Sequence, residues 1–166
     1  TPNTLTINVT AVNDAPIDLS LSASTVAENA ANGTVVGTIT GTDPDAGDTK
    51  TYTFTDSAGG RFAINRTTGA LTVANGTLLN YEAATSHSVT VRVTDRGGLT
   101  YDETFTITVT NVIEAPAGTN ATVTINEDTT QTFTTANFGF SDVDAGESLS
   151  AVRIDTVPGA GTLTLS

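Results

Sequence analysis

The acids of this chain fall in a pattern that could hold a hard cation. Asp43-Pro44-Asp45 is answered 99 residues later by Asp142-Val143-Asp144. In an extended segment alternate residues share a face, so each pair sets two carboxylates side by side. Such close like charges repel and raise each other's pKa unless a cation lies between them. Glu28, Glu82, Asp95 and Glu114 recur where strand patterns end, with Asp14 in a similar place near the start. Calcium takes roughly six to eight oxygens from carboxylates, Asn amides, backbone carbonyls and water, whereas magnesium demands a tight octahedron and keeps its waters. Taken singly, Asp-Pro-Asp is more often a turn than a ligand pair, and Glu28 reads as an ordinary exposed acid. Recurrence at matched spacing carries the calcium reading.

The elements that must position these acids are strands. Thr104–Pro116 alternates, with Phe105, Ile107 and Val109 facing one way and threonines the other, the period of a strand with one buried face. Asn111, Glu114 and Pro116 then close it, since proline cannot donate to a ladder. Thr4–Pro16 repeats that stretch 100 residues earlier. The chain therefore reads as a piece of a tandem array. Residues 1–12 are expected to be the last strand of a preceding module, 13–116 a complete module, and 117–166 a partial second one. Within 13–116 the spacing predicts strands over Ile17–Leu21, Gly33–Gly41 (Val35 and Ile39 on one face), Lys50–Thr55, Arg61–Ile64, Leu71–Val73, Ser86–Asp95 and Leu99–Thr110. Leu78–Thr85 is the one stretch where a helical turn fits. Short strands parted by Gly/Asn/Asp turns make this an all-β chain and a β-sandwich. In the partial module, Ile154, Val157 and Leu163 are expected to lack much of their packing.

Eighteen acids against six bases give a net charge of −12. That argues against nucleic acid, whose binding neutralises phosphates with Lys and Arg, and against docking on anionic lipid. No apolar run approaches membrane-spanning length, so membrane insertion is not expected. With no cysteine, neither a disulfide nor a zinc thiolate staples the fold. No enzyme is expected. A glycosidase needs its two carboxyls about 5–9 Å apart across a cleft, and these acids lie at module tips. His87, the single histidine, sits in a strand pattern and reads as a surface residue. A calcium-dependent carbohydrate-binding module is the alternative, although Trp is absent and Tyr52 and Tyr81 read as packing residues.

Val26-Ala27-Glu28-Asn29, Thr42-Asp43-Pro44-Asp45-Ala46-Gly47, Asn80-Tyr81-Glu82, Val93-Thr94-Asp95-Arg96-Gly97-Gly98 and the Asn-Val-x-acid-Ala-Pro joint resemble bacterial cadherin-like repeats. Residues 11–116 carry the resemblance, and 117–166 resemble a more divergent cadherin-like type. Such repeats occur in large secreted surface proteins and repeats-in-toxin-type adhesins. The resemblance implies a Greek-key sandwich of about seven strands that binds Ca2+ at the joints between modules, at the bacterial cell surface. It implies that Asn13, Asp14, Asp43, Asp45 and Asp95 serve the first joint. Glu28, Asn80, Glu82, Asn111 and Glu114 would serve the second, with Asp142 and Asp144 from the next module. Asn80 stands where the family motif usually has Asp, and Ile113 replaces the oxygen ligand that Asn13 keeps. The implied partners are neighbouring modules of the same chain and, for the parent protein, a cell-surface glycan or another adhesin.

Overall fold

The structure, a computed structural model, describes residues 3–156, 159, 162 and 163. It divides into two compact units, Thr1–Val112 and Ile113–Ser166.

The first unit is built from eight strands in two four-stranded sheets: β1 (Asp18–Leu21), β2 (Thr25–Ala27), β3 (Val35–Thr42), β4 (Thr51–Asp56), β5 (Phe62–Ile64), β6 (Ala70–Val73), β7 (Ser86–Thr94) and β8 (Thr100–Thr110). One sheet has the order β1-β3-β6-β5 and the other β2-β8-β7-β4. Every pairing is antiparallel except β2 with β8. The expected all-β sandwich is therefore present. Its opening strand is split between the sheets, with β1 on one and β2 on the other. Gly37 permits that crossing, because a Cβ there would run into the backbone of Ala23.

The alternation of Val89, Val91 and Val93 on β7 and of Ile107 and Val109 on β8 becomes the buried face, and these five are all but fully enclosed. They pack with Leu71, Val73, Phe62 and Leu79 toward one end, and with Leu19, Ile39 and Tyr52 toward the other. The Tyr52 hydroxyl accepts the buried amide of Gly41 at 3.1 Å, so Tyr52 is a packing residue as its pattern predicts. One facing differs from expectation. Val35 is 65% exposed while Val36 is 6% exposed, because a bulge between Val35 and Gly37 adds a residue to β3 against β6. An extra residue shifts all that precedes it to the opposite face. The helical turn expected in 78–85 lies slightly earlier, as a 3-10 turn over Gly76–Leu78 capped by Asn75.

Residues 3–12 form no ladder, and Leu5, Ile7 and Val9 stay exposed. An alternating segment becomes a strand only where a neighbouring strand takes up its amides, and none does so here.

Among its described residues the second unit holds a 3-10 turn over Thr135–Phe138 and one antiparallel bridge, Ala117↔Ser141. That bridge repeats the Asp18↔Thr42 pairing of β1 and β3 at an offset of 99 residues at both positions. Ile154 and Leu163 are about half exposed, as expected, and Val157 lies outside the described residues.

Candidate metal centres

The strand registers gather the acids of the first unit at its two ends. Asp18↔Thr42, Thr51↔Thr94 and Thr94↔Thr100 bring the start of β1, the β3–β4 loop and the β7–β8 hairpin to one end. In the β3–β4 loop Asp43 turns back on itself, its Oδ1 accepting the Asp45 amide at 2.8 Å. Gly47, at φ 82°, lets the loop return so that the Asp48 amide reaches the Asp45 carbonyl at 3.2 Å. Asp45 Oδ2 accepts the amide of Asp14 at 2.8 Å, which ties the segment before β1 to this loop. Asp95 is buried at the mouth of the hairpin. Its Oδ1 accepts the Leu99 amide at 2.7 Å and its Oδ2 the Asn13 side-chain amide at 2.8 Å. Burial pushes the Asp95 carboxyl up, but the bonds from Asn13, Leu99, Gly98 and Gly97 outweigh it and hold the group below its ordinary value.

Oxygens of Asp43, Asp48 and Asp95 lie within 4.8 Å of one another. Among the described residues no Lys or Arg forms an ion pair with any of the three. Asp43 Oδ2 is buried and has no hydrogen-bond partner. A carboxylate oxygen in that position costs free energy unless something positive meets it. The donor set is all oxygen, as a hard cation requires, so the residues fit calcium. A recess of about 310 Å³ opens beside them, lined by Asn13, Asp45, Asp48 and Arg96 among others.

Asp48 belongs to this group although sequence reading left it out of the ligand set. Its Oδ2 accepts the Arg96 amide at 3.2 Å, so it joins the two loops. The signal was present, since Asp48 closes the acidic loop just as Glu147 closes the later one.

The opposite end is organised by Glu28. Far from an ordinary exposed acid, it is 2% exposed. Oε1 accepts the Val112 amide at 2.8 Å and Oε2 the Tyr81 amide at 2.9 Å. It is buried because β2 ends there beside β8, its own amide extending that ladder to the Thr110 carbonyl at 3.0 Å. A carboxylate oxygen of exposed Glu82 comes within 4.8 Å of one on Glu28. Asn80, by contrast, spends its side-chain oxygen on the Ala83 amide at 2.6 Å, holding the turn that carries Glu82. Asn111 is exposed, just past β8.

In the second unit the later acidic loop takes the same form. Asp142 Oδ1 accepts the Asp144 amide at 3.0 Å, and Asp144 Oδ2 accepts the Glu114 amide at 2.8 Å. Asp144 is buried and its Oδ1 has no hydrogen-bond partner. His87 also departs from its expected surface place. It is half-buried, its Nε2 enclosed without a partner, because it lies on the inward face of β7 with Val89 and Val91.

The family model described as the cadherin domain matches residues 22–126. Cadherin-4 of Caenorhabditis elegans is 30% identical over 110 residues, which are 64% of this chain and 2% of that protein. Among solved structures, the human desmocollin-1 ectodomain is 29% identical, over 64% of this chain and 22% of that one, at a TM-score of 0.47. Chicken VE-cadherin EC1-2 is 26% identical, over 52% and 45%, at 0.45. Drosophila N-cadherin EC1-3 is 23% identical, over 64% and 36%, at 0.49. The chain thus spans only a small part of that curated relative and less than half of each of these structures. It belongs to the cadherin domain family.

Proposed function

We propose that the chain is a calcium-binding, calcium-rigidified extracellular piece of a surface adhesin, acting as a spacer or adhesion repeat. The observation that carries this reading is the Asp43–Asp48–Asp95 group, with oxygens within 4.8 Å of one another and a buried Asp43 oxygen that has no hydrogen-bond partner among the described residues. In that role Asp43, Asp48 and Asp95 hold one cation, and Asn13, Asp14 and Asp45 fix the loops around it. Glu28 and Glu82 supply the opposite end. Asp142 and Asp144 supply the matching loop of the next module, with Glu114, Asn80 and Asn111 in or beside the linker. When bound, the ion supplies only positive charge and a coordination demand. The protein's own part is to converge loops that would otherwise repel one another.

The tandem organisation, with modules at 13–116 and 117–166 after a terminal strand at 1–12, is part of this proposal. The repeated loop geometry and the repeated bridge at an offset of 99 residues support it. So is the bacterial surface setting, which rests on the sequence resemblance alone. Neighbouring modules are the first partners in this reading, and a glycan or another adhesin the second. We read the piece as a binding element with no catalytic role.

Isothermal titration calorimetry of metal-free protein with calcium tests the reading. Binding at roughly 10⁻⁴–10⁻³ M is expected for an extracellular module, and Asp43→Asn is expected to remove one class of site. Absence of heat at millimolar calcium overturns it.

A further inference from the structure

The chain has two Asn-Gly bonds, and each opens an Asn-Gly-Thr triplet: Asn32-Gly33-Thr34 and Asn75-Gly76-Thr77. An Asn followed by Gly is prone to lose its side-chain nitrogen as ammonia. The glycine has no Cβ to hinder attack by its own nitrogen, and its backbone turns freely. The fold sets the two triplets against each other. Asn32 Oδ1 accepts the Gly76 amide at 2.9 Å, and the Gly33 amide donates to the Val73 carbonyl at 2.7 Å. Both attacking nitrogens are thereby held.

Asn75 is held more firmly than Asn32. Its Oδ1 accepts the Thr77 amide at 3.2 Å and the Thr77 hydroxyl at 2.7 Å. With the Asn75 ψ at 97°, the Gly76 nitrogen lies nearly trans to the Asn75 Cβ, away from the carbon it would attack. Gly76 is buried so closely that a Cβ on it would run into the Ala30 carbonyl. Asn32 and Gly33 are exposed. Parting Gly33 from Val73 releases the first nitrogen, whereas the second is released only when the Asn32 side chain leaves it.

We propose that Asn32 and Asn75 are paired deamidation sites that the fold keeps shut, and that conversion of Asn32 to isoaspartate opens Asn75. Hydroxide takes the Gly33 amide proton, and the nitrogen attacks Asn32 Cγ. The Cγ–Nδ2 bond breaks, ammonia leaves with a proton from water, which restores the hydroxide, and a five-membered imide closes. Water then opens the imide. Attack at Cγ gives aspartate, which keeps an oxygen for the Gly76 amide. Attack at the main-chain carbonyl carbon gives isoaspartate, whose main chain runs through Cβ and Cγ and whose free carboxylate sits directly on Cα. That product withdraws the acceptor from Gly76, the nucleophile at Asn75. The same change at Asn75 adds a carbon to the main chain just before the turn that carries Leu79 into the core and the Tyr81 amide to Glu28.

The test uses the whole chain in chelator, so its outcome is independent of the metal reading. Protein is held at mildly alkaline pH, folded or in urea, and sampled over time. Trypsin cuts at Lys50, Arg61 and Arg66 separate the two sites. Mass spectrometry follows each exchange of NH2 for OH, and an isoaspartyl methyltransferase marks isoaspartate. At both sites the folded chain is expected to react about tenfold or more slowly than the unfolded one, because the held contacts must part first. In the folded chain Asn75 is expected to react after a lag behind Asn32. Asn32→Ala removes the acceptor and is expected to speed Asn75 by about twofold to tenfold, the worth of one hydrogen bond. Asn32→Asp keeps an acceptor and is expected to leave Asn75 slow. Equal rates in folded and unfolded chain, loss at Asn75 without a lag, or an unchanged Asn75 rate in folded Asn32→Ala overturns the proposal. The first two readings come from the unmutated chain, so a variant that fails to fold leaves the test intact.

Discussion

Asp14 and Asp45 are joined by a hydrogen bond of 2.8 Å from the backbone amide of one to the carboxylate of the other. In the second unit Glu114 and Asp144 repeat it at 2.8 Å. Asp14 and Glu114 thus dock through their main chains, and in the first unit the bond leaves the Asp14 carboxylate exposed. In the first unit the second Asp of the Asp-x-Asp fixes the loop, while the first holds a carboxylate oxygen back from its turn. That oxygen is Asp43 Oδ2, buried and unpartnered, whereas in the second unit the oxygen held back is Oδ1 of Asp144, the second of its pair. Asp43 and Asp45 therefore have different parts.

Asp43→Asn should change sign with calcium. In chelator it removes one of three clustered negative charges and is expected to raise stability by about 2 kcal/mol, roughly 1 for each of the two like-charge pairs near 4 Å in water. In saturating calcium it is expected to lower stability by removing a ligand charge. Asp45→Asn also weakens binding at this end, and in chelator it yields no comparable gain because its carboxylate already accepts an amide. Urea melts of both variants in the two conditions check this.

Glu28→Gln is expected to destabilise the fold even without metal. Both carboxylate oxygens accept backbone amides, and a glutamine has one oxygen for the two donors. The amide left facing an NH2 group is expected to cost about 1–3 kcal/mol. Equal melting of wild type and variant in chelator would show that the buried acid serves the metal alone.

The Arg92–Asp102 pair gives a pH prediction away from the clustered acids. The bidentate bond from Arg92 at 2.8 Å holds the Asp102 carboxyl below its ordinary 3.8. A depressed carboxyl contributes stability above its unfolded pKa and loses it as pH falls through the folded value. Asp102 should therefore titrate below 3.8 by carboxyl NMR and return toward it in Arg92→Gln. The pair is partly exposed, so the accompanying change in melting at neutral pH is expected to be small.

Gly37→Ala is expected to cost on the order of 1–3 kcal/mol, as overpacking does, because its Cβ meets the Ala23 backbone where the chain passes between sheets. Thermal melting measures it, and a neutral result would mean the crossing can move aside.

The strands of this protein were legible where two faces differ in polarity. Val89, Val91 and Val93 announce a buried face against a neighbouring ladder of Ser and Thr. Val35 misled because a bulge is set by how β3 meets β6, and nothing in Val35-Val36-Gly37 alone marks which valine turns inward. That Asp43, Asp45 and Asp95 share one end was implied by the resemblance to cadherin-like repeats and not by the strand pattern. Asp48 escaped because the turn at Gly47, which brings it back toward Asp43, is a feature of conformation. Glu28 was mistaken for a surface acid because its two amide partners come from residues 53 and 84 positions away.

Melting temperature in calcium, magnesium and chelator decides whether a hard cation completes the acid clusters. At ten times Kd one site adds about 1.4 kcal/mol, which for a domain of this size is a rise of roughly 5–10 °C. That rise is expected in calcium, and a much smaller one in magnesium at equal concentration. A melting temperature that is the same in calcium and in chelator would contradict it.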